Sequence, residues 1–211
     1  MQFNLNWPNL ITIVRVLMIP LFVMAIMQVT PTEVFFRMTA LIIFVLMVLG
    51  DGLDGLMARR LRQRTVMGAF LDPLGDKLMM FSAYIFLAAA CWPEPRVPRW
   101  VSTVVISRDL LMGIGFATLF VVSGRFRMVS PSGVGKLCTA VQAATITYVL
   151  GAPWMFSFLG TSLGQSVLIA LGLLTVFMTL FSGVDYLYAA RVYFTHGEQV
   201  GLTVEHRPGK E

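Results

Sequence analysis

Apolar residues in this chain gather in six long segments, roughly Leu10–Val29, Val34–Met57, Gly68–Trp92, Trp100–Val122, Gly133–Gly151 and Leu163–Phe194. A helix that crosses a hydrocarbon core needs about 20 mostly apolar residues. The segments therefore predict an all-α, polytopic membrane protein, a bundle of six transmembrane helices. The connections are short and carry turn chemistry: Thr30-Pro31-Thr32, then Pro93, Pro95 and Pro98, then Ser123-Gly124 and Ser130-Pro131-Ser132-Gly133. Gly151-Ala152-Pro153-Trp154 closes the fifth segment. The first segment lacks a basic lead and a small-x-small cleavage pattern, and it holds Arg15, so it reads as a retained helix with Trp7 at headgroup depth. The fifth is the least apolar, with Thr139, Gln142, Thr145 and Thr147; such a helix lines a cavity or packs polar groups on its neighbours. No internal repeat is visible. Residues 1–195 read as one membrane domain and 196–211 as a short, loosely ordered cytosolic tail.

Composition agrees. Of 211 residues, 57% are hydrophobic and only 13% are charged, against roughly 25% charged in a soluble domain. That balance excludes a soluble fold, a disordered chain and a disulfide scaffold. Cys91 and Cys138 fall on opposite membrane faces in the predicted topology and read as apolar filler. The basic residues set the orientation. Arg59, Arg60, Arg62, Arg64, Arg125, Arg127, Lys136, Arg191, Arg207 and Lys210 all lie on one side, and the other side carries Arg37, Arg96 and Arg99. The positive-inside rule then puts both termini in the cytosol. The surplus of positive charge follows this topology, and no nucleic-acid partner is expected.

Six of the eleven acids, Asp51, Asp54, Asp72, Asp76, Asp109 and Asp185, sit in or at the ends of apolar segments, where a carboxylate is costly. Asp51 and Asp54 are three residues apart and share a helix face at the cytosolic end of the second segment. Gly55 and Ala58 keep their surroundings open to a close approach. After a short basic connection, Asp72 and Asp76 are four apart near the start of the third segment. Two antiparallel helices bring the pairs to one depth. Four carboxylates in one place repel, and a pair of hard divalent cations makes the arrangement favourable: Mg²⁺ takes carboxylate oxygens together with substrate phosphates, and two ions can clamp a phosphoryl displacement. The bland alternative is that each acid is a helix-packing contact or the partner of an arginine. For Asp109 beside Arg108 both readings stay open.

The run Asp51, Asp54, Gly55, Ala58, Arg59, eight residues, Gly68, Asp72, Asp76 resembles the signature of the CDP-alcohol phosphatidyltransferase family without departure. The resemblance covers essentially the whole chain. It implies that a CDP-linked lipid, usually CDP-diacylglycerol, gives its phosphatidyl group to an alcohol and releases CMP. It also implies that Asp51, Asp54, Asp72 and Asp76 hold two divalent cations, Mg²⁺ or Mn²⁺, and that Asp76 takes the proton of the acceptor hydroxyl. Gly55, Ala58, Arg59 and Gly68 are expected to shape the CDP site, and the family suggests a homodimer. The setting would be a bacterial cytoplasmic membrane with the site facing the cytosol and membrane lipids around it.

Pro8 to Arg15 and Ser182 to Leu187 resemble the branch that uses glycerol-type acceptors, the phosphatidylglycerophosphate synthases and the CMP-forming cardiolipin synthases. The first accept glycerol 3-phosphate and the second phosphatidylglycerol. A phosphate-bearing acceptor needs cations, and the candidates are Arg108, Lys136 and Arg191. Arg108 lies about 20 Å from the cytosolic end of its segment at 1.5 Å per residue, so it must face a polar interior. The alternatives are an ion pair with Asp109 for Arg108, and interfacial anchoring for Lys136 and Arg191. Ser107-Arg108-Asp109 stands where phosphatidylglycerophosphate synthases often show Arg-Glu. The stretch Pro131 to Gln142 looks as much like the cardiolipin-synthase branch, so the acceptor stays open with a lean to glycerol 3-phosphate. The rival of another class, an ion-coupled transporter, places its acids near the midplane of repeated halves.

Overall fold

The computed structural model describes the backbone of residues 7–30, 34–61, 66–89, 92–123 and 133–204, and the side chains of 14–30, 34–50, 75–89, 92–115 and 133–188. Among these residues there are seven helices and no strand: α1 Trp7–Met27, α2 Val34–Leu61, α3 Val66–Ala88, α4 Arg99–Ser123, α5 Gly133–Leu150, α6 Ala152–Leu159 and α7 Thr161–Val204. Thr161–Tyr188, with mean hydropathy 2.4, is long and apolar enough to cross a membrane. Val14–Met27 and Val34–Gly50 are shorter apolar stretches of α1 and α2.

Each helix packs on several others. α1 lies against α2 and α3, α5 against α2, α3 and α7, and α4 against α3 and α7. The shared core holds Phe22 of α1, Phe44 and Met47 of α2, Met79, Tyr84 and Leu87 of α3, Val101 of α4, and Ile146 and Leu150 of α5. Two close approaches set helix spacing. A Cβ at Gly75 would come within 3.3 Å of Val16 Cγ2, and one at Gly172 within 3.3 Å of Val101 Cγ2. Small residues at such crossings let backbones approach where lipid offers no hydrophobic drive for association.

The polar fifth segment packs on its neighbours. Gln142 Nε2 donates to Thr179 Oγ1 at 3.1 Å, and the Thr145 and Thr175 hydroxyls pair at 2.7 Å, a buried seam between α5 and α7. The Tyr84 hydroxyl donates to the Gln142 carbonyl at 3.2 Å and ties in α3. Cys138 is buried in this seam, 3.7 Å from Thr179 Oγ1, so it is more than apolar filler. Cys91 lies outside the described residues.

Two boundaries differ from the sequence reading. Gly151 to Trp154 was expected to end a span; instead, Pro153 opens the eight-residue helix α6, where its missing N–H costs nothing. Gly160 at φ +81° then turns the chain into α7. α7 also continues past His196 to Val204, where a loosely ordered tail was expected.

Arg37 closes the end of the bundle away from the basic connections. It is buried, donates from Nε to the Leu150 carbonyl at 3.0 Å and from Nη2 to the Val149 carbonyl at 2.7 Å, and sits 5.2 Å from the Trp92 ring centroid. The last carbonyls of α5 have no intrahelical partner, and a cation there also opposes the negative end of the helix dipole. Arg37→Met is expected to lower stability by about 3 kcal/mol, since it orphans two buried acceptors. Thermal unfolding in detergent would register it. Gly160→Ala is expected to cost roughly 1–3 kcal/mol, because the positive φ suits glycine alone; the same measurement reads it.

Candidate active site

α2 is helical through all of its signature positions, and so is α3. Asp51 lies ten residues before the end of α2 at Leu61, and Asp76 ten residues after the start of α3 at Val66. Asp54 and Asp72 lie seven and six residues from the same two ends. At 1.5 Å per residue the outer pair is about 15 Å, and the inner pair about 10 Å, along its own helix from Leu61 or Val66. The side chains of Asp51, Asp54, Gly55, Ala58, Arg59, Gly68 and Asp72 lie outside the described residues. Asp76 is described and half-buried. Among the described residues no three His, Cys, Asp or Glu side chains come together, as follows when three of the four aspartates are not among them.

The donor set fits a pair of hard divalent cations. All four positions are carboxylates, the oxygen donors that Mg²⁺ and Mn²⁺ prefer, and they fall at matching distances along their helices from Leu61 and Val66. Gly75, next to Asp76, lets α1 come close to α3 and fixes this part of α3 against Val16.

The described side chains also form a second polar group, further along α3 and α4. The Asp109 carboxylate accepts from Arg108 Nη1 at 2.7 Å and from Lys77 Nζ at 2.8 Å, both at Oδ1. Arg108 Nη2 donates to the Ser182 hydroxyl of α7. The Arg108–Asp109 ion pair, one of the two readings left open, is thus present, with a second cation and a third helix added. Arg108 and Asp109 are each 10% exposed and Lys77 40%. Buried Arg108 Nε has no hydrogen-bond partner, and neither does buried Tyr186 Oη, one turn beyond Ser182 on α7. Lys77 escaped the sequence reading, which weighed the acids and arginines. The available signal was a lysine inside an apolar segment that also needs a carboxylate.

The other acceptor candidates lie on α5 and α7. Lys136 is exposed in the first turn of α5. Arg191 lies on α7 with its side chain outside the described residues. Asp185 is half-buried on α7, three residues from Ser182.

The sequence model of the CDP-alcohol phosphatidyltransferase family matches residues 5–180. Curated relatives resemble the chain over most of its length. A protein of Shigella flexneri serotype 5b (strain 8401) is 31% identical over 196 residues, covering 90% of this chain and 97% of its own. A protein of Sodalis glossinidius (strain morsitans) is 32% identical over 191 residues, covering 89% and 96%. A third, of Escherichia coli (strain K12), is 31% identical over 196 residues, covering 90% and 97%. All three are named CDP-diacylglycerol–glycerol-3-phosphate 3-phosphatidyltransferase.

Both families of contacts around Arg108 can be tested without assuming an activity. Ser182→Ala removes one of two fixed acceptors of the guanidinium and is expected to cost about 1–3 kcal/mol, seen as a lower unfolding midpoint in detergent.

Proposed function

This chain belongs to the CDP-alcohol phosphatidyltransferase family, and from that premise we propose that it transfers the phosphatidyl group of CDP-diacylglycerol to glycerol 3-phosphate and releases CMP. The reading is supported above all by one pattern: the four aspartate positions fall at matching distances along α2 and α3 from Leu61 and Val66, on either side of the basic connection. The shared name of the relatives favours glycerol 3-phosphate over phosphatidylglycerol as acceptor.

The reaction displaces one phosphate oxygen by another. The acceptor hydroxyl oxygen bonds to the phosphorus that carries diacylglycerol. The bond from that phosphorus to the oxygen bridging to CMP breaks, and CMP leaves with the electron pair. Asp76 receives the hydroxyl proton. Asp51, Asp54, Asp72 and Asp76 would hold two divalent cations, Mg²⁺ or Mn²⁺, whose chemistry is to neutralise the pyrophosphate and acidify the hydroxyl. Gly55, Ala58, Arg59 and Gly68 line the CDP side. Arg108 meets the acceptor's phosphate, with Lys136 and Arg191 nearer the cytosol.

The reading carries a topology. Six helices cross a bacterial inner membrane, both termini and the site lie on the cytosolic side, and residues 196–211 follow the membrane domain 1–195. α2 at 28 residues is about 42 Å long, enough for a core of about 30 Å. The acyl tails then stay in lipid while the nucleotide stays in water. The working unit is a homodimer.

Purified protein in detergent, with CDP-diacylglycerol and Mg²⁺, should release CMP on addition of glycerol 3-phosphate. Release with phosphatidylglycerol instead would overturn the acceptor assignment. Asp76→Asn is expected to lower kcat at least about a hundredfold while the protein still folds and inserts. Turnover that survives exhaustive chelation would refute the divalent cations.

A further inference from the structure

Residues i and i+1 on a helix do not face one another, yet Arg108 and Asp109 are bonded at 2.7 Å. The Arg108 side chain is therefore drawn round toward Asp109, and its other terminal nitrogen is taken by Ser182 of α7. Two of its nitrogens are fixed by two helices, and the third, Nε, is buried without a partner. Asp109 is fixed in turn, because Lys77 of α3 donates to the same oxygen that Arg108 uses.

The charges do not cancel. Within the bonded group of Lys77, Asp109 and Arg108 the formal charges sum to +1, while the half-buried acids Asp76 and Asp185 stand next to Lys77 and three residues from Ser182 in the chain. A structure that only needed to neutralise Arg108 had done so with Asp109 alone. The added lysine makes sense where an anion arrives to complete the group. Lys77 is also the residue after Asp76, so the contact to Asp109 ties the α3 segment of the expected base to the α4 segment of the expected phosphate ligand.

We propose that Lys77 and Asp109 are positioning residues for the acceptor's phosphate: Lys77 fixes the Asp109 carboxylate, and Asp109 with Ser182 fixes the Arg108 guanidinium where it meets that phosphate. The inference rests on the reading above that the acceptor carries a phosphate and that Arg108 contacts it. Lys77 itself acts through Asp109. Its loss leaves Arg108 charged and bonded but loosens the Asp109 carboxylate that orients it, which weakens acceptor binding and leaves the CDP-lipid side intact.

The experiment is steady-state kinetics of the full-length protein in detergent, varying glycerol 3-phosphate and CDP-diacylglycerol separately. The unmodified protein is measured first; if it gives no CMP with glycerol 3-phosphate, the functional reading fails and the variants say nothing against the positioning role alone. With that turnover in hand, Lys77→Met is expected to raise KM for glycerol 3-phosphate roughly tenfold to hundredfold, the worth of a charge-assisted hydrogen bond. KM for CDP-diacylglycerol is expected to stay within about threefold. Lys77→Arg, which keeps a charged donor, should restore most of the loss. Asp109→Asn should raise the same KM, and Lys77→Met combined with it should be no worse than Asp109→Asn alone, since both act on one oxygen. Should Lys77→Met not purify as a folded species, Lys77→Gln carries the same criterion. A parallel rise of both KM values, a fall in kcat alone, no change, or additive losses in the double variant would each overturn the proposal.

Discussion

A cation inside an apolar bundle must find its oxygens within the protein, and that requirement organises what surrounds Arg37 and Arg108. Lipid tails offer no acceptor, so each guanidinium is met by groups from other helices. Arg37 takes the terminal carbonyls of α5. Arg108 takes a carboxylate on its own helix and a hydroxyl on α7. Both solutions require particular helices to be neighbours at a particular height, so the charges fix the packing as much as the packing houses the charges. The hydroxyl and amide seam of Gln142, Thr145, Thr175 and Thr179 does the same without charge.

The two arginines differ in what they leave over. Arg37 is spent on structure: its donors face backbone carbonyls, and Trp92 lies against it. Around Arg108 a second cation, Lys77, shares the one carboxylate, and a buried nitrogen keeps its bonding capacity. Two cations on one carboxylate, with a buried guanidinium nitrogen still unbonded, suit an arriving phosphate better than they suit stability. The aspartate positions toward the C-terminal end of α2 and the N-terminal end of α3 have the opposite sign and suit cations. The proposed reaction draws on both, one beside the pyrophosphate and one for the acceptor.

Much of this was legible beforehand. The apolar segments marked six of the seven helices among the described residues, because a long apolar run bounded by turn residues folds as a helix. The spacing of Asp51, Asp54, Asp72 and Asp76 pointed to a shared carboxylate face, because i, i+3 and i, i+4 positions share a face, and the same run carried the resemblance to the family that the chain belongs to. α6 was missed because eight apolar residues beginning with Pro153 look like the ragged end of the preceding span. Lys77 was missed because a lone lysine says nothing of which acid it will meet, and Asp109 is 32 residues away in the chain. Asp109 itself stayed open between two readings for the same reason. A transporter reading had leaned on intramembrane acids alone; the membership of the chain in a transferase family closes it.

The sequence by itself determined the membrane setting, the helices and the aspartate pattern. These are local properties: hydropathy summed along a segment and residue spacing on a helix of known pitch. Only the tertiary structure decided which charges meet. Arg37 on α5's last carbonyls, Lys77 on Asp109 and Arg108 on Ser182 are contacts between segments far apart in the chain, and their partners follow from which helices pack and at what height. That is set by shape at crossings such as Gly75 on Val16 and Gly172 on Val101, where the absence of a side chain on one helix has meaning only once the other helix is in place.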